Sequence, residues 1–220
     1  MNEKEKLDGH DWLIWQLADS AFPTGGFAHS GGLESAWQNG EVRNAVDLSA
    51  FLEAGLWQMG RGILPFVTAA HDEPDKLISL DRHFDAFLSN HVAQRASRLQ
   101  GRALLASVRR IFAPFSLEQP FHGHFAPVFG AITKALGVTR SHATNLFCFQ
   151  HLRCGLSAAV RLGIMGPLEA QSLQHRLIPC ARNVLSHCEN LPVGEAAQTA
   201  PLLELWQGTQ DRLYSRLFQS

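Results

Sequence analysis

The densest group of chemically capable residues lies between positions 19 and 34. It includes Asp19, Ser20, Thr24, Gly25, Gly26, His29, Ser30, Gly31, Gly32 and Glu34. Two glycine pairs this close let the backbone take positive φ or lie against another chain. A phosphate-cradling loop would need G-x-x-x-x-G-K-[ST] after a strand, and this run has no lysine. Ala28-His29-Ser30-Gly31-Gly32 is one residue from the G-x-S-x-G of serine hydrolases. That motif works because a strand feeds a sharp turn into a helix, whereas a helical pattern precedes this run. Ser30 therefore reads as a helix cap, with a serine nucleophile as the weakest alternative.

Metal chemistry has two candidates among the 11 histidines and four cysteines. Cys148, His151 and Cys154 recur every three residues in a helical pattern. They fan over roughly 120° of helix surface, so one tetrahedral ion would need a second element. His122-Gly123-His124 is a flexible pair able to hold nickel or zinc weakly. No C-x-x-C is present, which excludes zinc-ribbon and thioredoxin-like motifs. The reading is no metal site, no cofactor and reduced thiols, with an independent nickel carrier as the alternative.

Two more clusters point to partners. Arg95, Arg98, Arg102, Arg109 and Arg110 occur with no acid between Asp85 and Glu118, and the first three share a helical face. They lack the aromatic interleaving of single-strand binders, and a net charge of -1 excludes a generally nucleic-acid-binding surface. That sum hides an asymmetry: residues 1–90 carry 14 acidic and 6 basic groups, residues 91–220 carry 6 and 13. The second cluster is Arg212, Leu213, Tyr214, Arg216, Leu217 and Phe218. In a helix, Leu213 with Leu217 and Tyr214 with Phe218 form one apolar-aromatic face flanked by the two arginines.

The elements that must position these groups are helices. Leu and Ala number 56 against 24 Val, Ile and Thr, and no period-2 alternation persists. The patterns predict a single compact all-α domain of about eight to ten helices over residues 11–220, after a flexible tail at 1–10. Predicted helices cover about 11–20, 30–38 (capped by Ser30), 47 onward (capped by Asp47), 63–71, 74–88, 93–112, 127–136, 139–162, 167–187 and 202–217. Gly60-Arg61-Gly62 is expected to break or bend the chain, Pro179 to kink a helix, and Leu99 to point inward. With 220 residues and 45% hydrophobic side chains the chain can build a core. No apolar run approaches 18 residues and no export signal is visible, so a cytoplasmic protein without membrane contact is expected.

Three runs resemble the urease accessory protein F family. They are Leu17-Ala18-Asp19-Ser20 with Pro23 to Glu34, Ser157 to Gly163 with Gly166 and Gln171, and Leu213 to Ser220. The likeness spans essentially the whole chain. It implies an all-helical, non-catalytic, dimerising protein that joins urease accessory protein D (H in some species) and the GTPase accessory protein G, so that nickel reaches apo-urease. By the same resemblance Asp19, Thr24, Gly25, Gly26, His29, Ser30 and Glu34 lie towards the GTPase and the nickel path. Arg212, Leu213, Tyr214, Arg216, Leu217 and Phe218 lie towards accessory protein D.

Overall fold

A computed structural model describes residues 9–220; the predicted tail therefore lies mostly outside the described residues, and its last two positions open the first helix. The described residues form ten α-helices and no strand, as one all-helical domain. They are α1 (Gly9–Ala18), α2 (Leu33–Gln38), α3 (Ala45–Gln58), α4 (Leu64–Asp72), α5 (Leu77–Phe87), α6 (His91–Ile111), α7 (Phe125–Ala135), α8 (Arg140–Arg161), α9 (Pro167–Cys188) and α10 (Pro201–Thr209).

Two helices form the centre because their sequences leave no polar face. In α4 every residue from Leu64 to Thr68 is buried, and in α7 every residue from Ala126 to Thr133. A helix apolar all round belongs inside. The two cross so closely that a Cβ at Gly130 would lie 2.1 Å from the Val67 carbonyl oxygen. Their internal hydroxyls are satisfied locally: Thr68 and Thr133 each donate to carbonyls three and four residues back. Phe66 meets Phe84 edge-on at 4.7 Å, tying α4 to α5, and Phe129 meets Phe147 at 5.2 Å, tying α7 to α8. α6 covers this centre with Leu104, Leu105 and Val108.

Helix starts follow capping chemistry. Asn44 accepts from the amides of Val46 and Asp47, Asn90 from those of Val92 and Ala93, and Thr139 from that of His142. Asp47 is thus not the cap of α3; it sits in the first turn and accepts from the Arg43 amide at 2.9 Å. Gly60-Arg61-Gly62 does not break the chain either. Met59–Ile63 form a π-helical turn that runs α3 into α4. It presents the Arg61 carbonyl to the Ala197 amide at 3.1 Å, a bond that seats the 193–200 connection. α9 runs as one helix through Pro179. Leu99 points outward, 48% exposed, because the buried stripe of α6 runs through Ala96, Gly101, Leu104 and Val108 instead.

The largest correction concerns the expected helix over 202–217. α10 stops at Thr209, a 3₁₀ turn covers Gln210–Arg212, and residues 213–220 are not helical. The proposed pair of ridges is therefore absent. Tertiary contacts take the place of helix bonds here, as the site shows below.

Gly130→Ala tests the central crossing. Alanine favours a helix by about 1 kcal/mol, but a methyl 2.1 Å from a backbone oxygen forces the helices apart. A net loss of at least about 2 kcal/mol in denaturant unfolding is expected. Gly194→Ala, where a Cβ meets open space, should be neutral or gain up to about 1 kcal/mol.

Candidate functional site

The 19–34 loop and the 213–220 segment, far apart in sequence, form one structure. Glu34 is 1% exposed at the start of α2. Its Oε1 accepts from the Leu217 amide at 2.7 Å, and its Oε2 accepts from the Phe218 amide at 3.1 Å and from Gln210 Nε2 at 2.6 Å. Gln210 also donates to the Phe218 carbonyl at 3.3 Å. Three donors aimed at one buried carboxylate replace the water it loses. Further along, the Gln219 amide donates to the Ala28 carbonyl at 2.8 Å. Ser30 donates through both its amide and its hydroxyl to the Ser220 backbone oxygen. These bonds explain why the segment is not a helix: its amides are committed across the chain.

Arg161, near the end of α8, closes the assembly. Its guanidinium lies 4.2 Å from the centre of the Phe218 ring and donates to the Phe27 carbonyl. Phe218 is 3% exposed and packs in the chain's own core. Asp211 anchors the other side: Arg95 forks onto it at 2.8 and 2.9 Å, and Arg216 donates to it at 2.9 Å. Those hydrogen bonds hold the Asp211 carboxyl below its usual range and push Arg95 up. Gly32 makes the approach possible. It has φ +89°, and a Cβ there would lie 2.8 Å from the Gln207 amide nitrogen of α10.

Beneath the loop lies a cavity of about 340 Å³, bounded by α3, α6, α8 and α10. Phe22, Gly26 and Ser30 line it on the loop side, and Gln58, His151 and Glu204 give it polar walls. The His151 ring is surrounded by protein yet exposed, because it faces this space. Burial lowers its pKa to about 4, so the ring is neutral at neutral pH. Burial also raises the pKa of Glu204. Gln58 reaches from the end of α3 to accept from the amides of Thr199 and Ala200, which fixes the start of α10.

The family model described as UreF matches residues 42–178. The chain is 39% identical over 219 residues to a urease accessory protein F of Oryza sativa subsp. indica, covering 94% of this chain and 84% of that protein. It is 38% identical over 221 residues to a urease accessory protein F of Arabidopsis thaliana, covering 95% and 92%. A urease accessory protein UreF of Mycobacterium tuberculosis is 29% identical over 210 residues. The chain belongs to the UreF family. The three runs that carried the resemblance meet in space, joined by Glu34, Arg161 and Phe218.

Within this UreF-family fold the sequence candidates divide into exposed and internal groups. Asp19, Arg212, Tyr214, Arg216 and Leu217 are exposed, and Thr24, Gly25, Gly26 and His29 are half-buried at the rim. Leu213 is partly buried, while Ser30, Glu34 and Phe218 are spent on internal bonds. α2 starts at Leu33, not at Ser30, although the Ser30 hydroxyl still accepts from the Glu34 amide at 3.3 Å. Its other bond goes to Ser220, and His29 Nδ1 lies 2.8 Å from Ser220 Oγ, so no base faces the Ser30 hydroxyl. That geometry removes the nucleophile alternative.

The metal candidates separate as well. Cys148 is buried in the core with its thiol pushed up to about 12 by burial, while His151 and Cys154 face the cavity. His122-Gly123-His124 is pinned rather than flexible. Buried Asp81 accepts from all three of its amides, at 2.6, 3.1 and 2.8 Å. His124 Nε2 lies 2.8 Å from Asp85 Oδ1, the carboxylate that Arg98 also engages. Among the described residues no group of three or more His, Cys, Asp or Glu is arranged to hold a metal ion. Of the arginine face, Arg95, Arg98 and Arg102 are engaged within the chain. Sequence reasoning missed Gln58, Arg161, Gln210 and Asp211 as positioning groups. Arg161 stood inside a matching run, and that was the only available signal.

Glu34→Gln keeps the shape but turns an amide NH₂ towards a donor. A loss of about 2 kcal/mol in chemical unfolding is expected. A pH series tests the two enclosed histidines. Burial, helped by Arg95 for His29, holds both pKa values near 4 against the usual 6.5. The unfolded chain therefore takes up protons below about pH 6.5 that the folded chain refuses. Stability should be full above that pH and fall as pH drops towards 4. His151→Gln should make the fall in melting temperature shallower across this window.

Proposed function

We propose that the chain is a urease maturation factor that acts as a non-catalytic scaffold. It joins accessory protein D (H) and the GTPase accessory protein G, and through them serves nickel delivery to apo-urease. The observation that carries this reading is the tie between the 19–34 loop and the 213–220 segment. A scaffold joining two partners needs both docking points in one frame, and Glu34 supplies that frame. The loop rim, with Asp19, Thr24, Gly25, Gly26 and His29, serves the GTPase side. Tyr214, fully exposed, and Leu217, 60% exposed, serve the accessory protein D side with Arg212 and Arg216. Leu213 is a secondary contact there. Ser30, Glu34 and Phe218 act from inside, holding the rim and the segment in register.

The cavity beneath the loop belongs to the same reading. Its neutral His151 ring and carboxamide walls suit passing contact with a divalent cation, and nickel is cargo here rather than a resident cofactor. On the same reading the chain works as a cytoplasmic homodimer. No helix of the described residues is long and apolar enough to cross a membrane.

Co-elution of the purified chain with the two accessory proteins tests the scaffold. The pair Tyr214→Ala and Leu217→Ala should weaken accessory protein D binding tenfold or more, with melting unchanged, because exposed side chains hold up little of the fold. Thr24→Lys should instead reduce GTPase recruitment. Unchanged co-elution for both variants would overturn the assignment. Submicromolar nickel binding by the isolated chain, lost in His151→Ala, would favour an independent carrier.

A further inference from the structure

The wall between the cavity and solvent is made by chain that is itself held down by other chain. Phe22, Gly26, Phe27 and Ser30 line the cavity on the loop side, and Ser220 lines it as well. The loop around these residues has little regular structure of its own, a single 3₁₀ turn at Gly26–Ala28. What fixes it comes from the 213–220 segment: the Gln219 amide on the Ala28 carbonyl, Ser220 between His29 and Ser30, and Phe218 under Arg161, which also grips the Phe27 carbonyl. Glu34 in turn holds the segment through Leu217 and Phe218.

We propose that residues 213–220 are a strap that keeps the 20–31 loop seated against the partly open cavity, and that releasing the strap widens its mouth. Its alternation of exposure fits a releasable part. Tyr214 and Leu217 stand in solvent while Phe218 and Ser220 are buried. Any pull on the exposed residues acts on the same stretch whose buried Ser220 lines the cavity. Loops tied by a few hydrogen bonds and one ring open far more readily than the helical core. The proposal stands on this chain's geometry alone and does not depend on the scaffold reading.

Cys154 reports the state of the mouth. It lines the cavity, and the loop lies directly on it: a Cβ at Gly26 would be 3.4 Å from its Sγ. The other cysteines are internal references. Cys148 and Cys188 are buried in the core, and Cys180 is partly exposed on α9. Labelling of the isolated full chain with N-ethylmaleimide, followed by peptide mass mapping, gives the four rates. In the intact chain Cys154 should react more slowly than Cys180 and faster than Cys148 and Cys188. Glu34→Gln and Phe218→Ala should each raise the Cys154 rate about tenfold or more, with Cys148 and Cys188 unchanged. An unchanged Cys154 rate in folded variants, or a Cys154 as fast as Cys180 in the intact chain, would overturn the strap. If both variants lose their fold, hydrogen exchange of the intact chain decides. Ser30, Leu217, Phe218 and Gln219 amides exchanging together, ahead of those of α4 and α7, support the strap; exchange of these amides only together with α4 and α7 refutes it.

Discussion

One buried carboxylate organises the functional end of this molecule. Glu34 gives up solvent and receives two backbone amides and a carboxamide in return. A carboxylate in that position is stable only while the 213–220 segment stays seated, because its donors come from there and from Gln210. The segment, for its part, has no helix or sheet to satisfy its amides. Each makes the other possible, so the loop, α2, the end of α10 and the segment form a mutually dependent unit. Arg161 extends the unit to α8 and Arg95 to α6.

The same device appears further along α6. Asp81, fully buried in α5, accepts from the three successive amides of His122, Gly123 and His124. That fixes the end of the 113–124 connection, from which α7 enters the core. Asp85 then collects His124 and Arg98. Burial pushes its pKa up, but the Arg98 and His124 hydrogen bonds outweigh this and leave it below its ordinary value. Irregular segments in this helical fold are thus held by acids rather than by packing alone.

Between these anchors the helices leave a space rather than a filled core. Its walls mix apolar surface with Gln58, His151 and Glu204, and burial keeps the histidine neutral and disfavours ionisation of the glutamate. Arg153 lines the same space, so its wall carries a guanidinium beside the neutral His151 ring. Loop residues Phe22, Gly26 and Ser30 and the segment's Ser220 line this space, so the unit that Glu34 organises also forms part of the cavity wall.

The all-α class, the number of helices and most of their positions were legible in the sequence. Apolar residues at helical spacing, the Thr139 cap and the low content of β-branched residues decide those locally. Membership of the UreF family was legible too, through runs whose residue types are unusual enough to stand out. The sequence also marked the 19–34 loop and the 213–220 segment as separate features. Only the tertiary structure decided that they are one. Leu213, Tyr214, Leu217 and Phe218 have the spacing of a helical face, and local propensity alone would make one. The deciding partners, Glu34, Ala28, Ser30 and Arg161, lie some 50 to 190 residues away. Hydrogen bonds to a buried carboxylate outweigh a weak local preference, and spacing within a segment carries no record of bonds made across the chain. The histidines show the same division: the residue types at 122, 124 and 151 were plain, but burial and neighbouring acids, which only the fold supplies, decided which were pinned and which face open space.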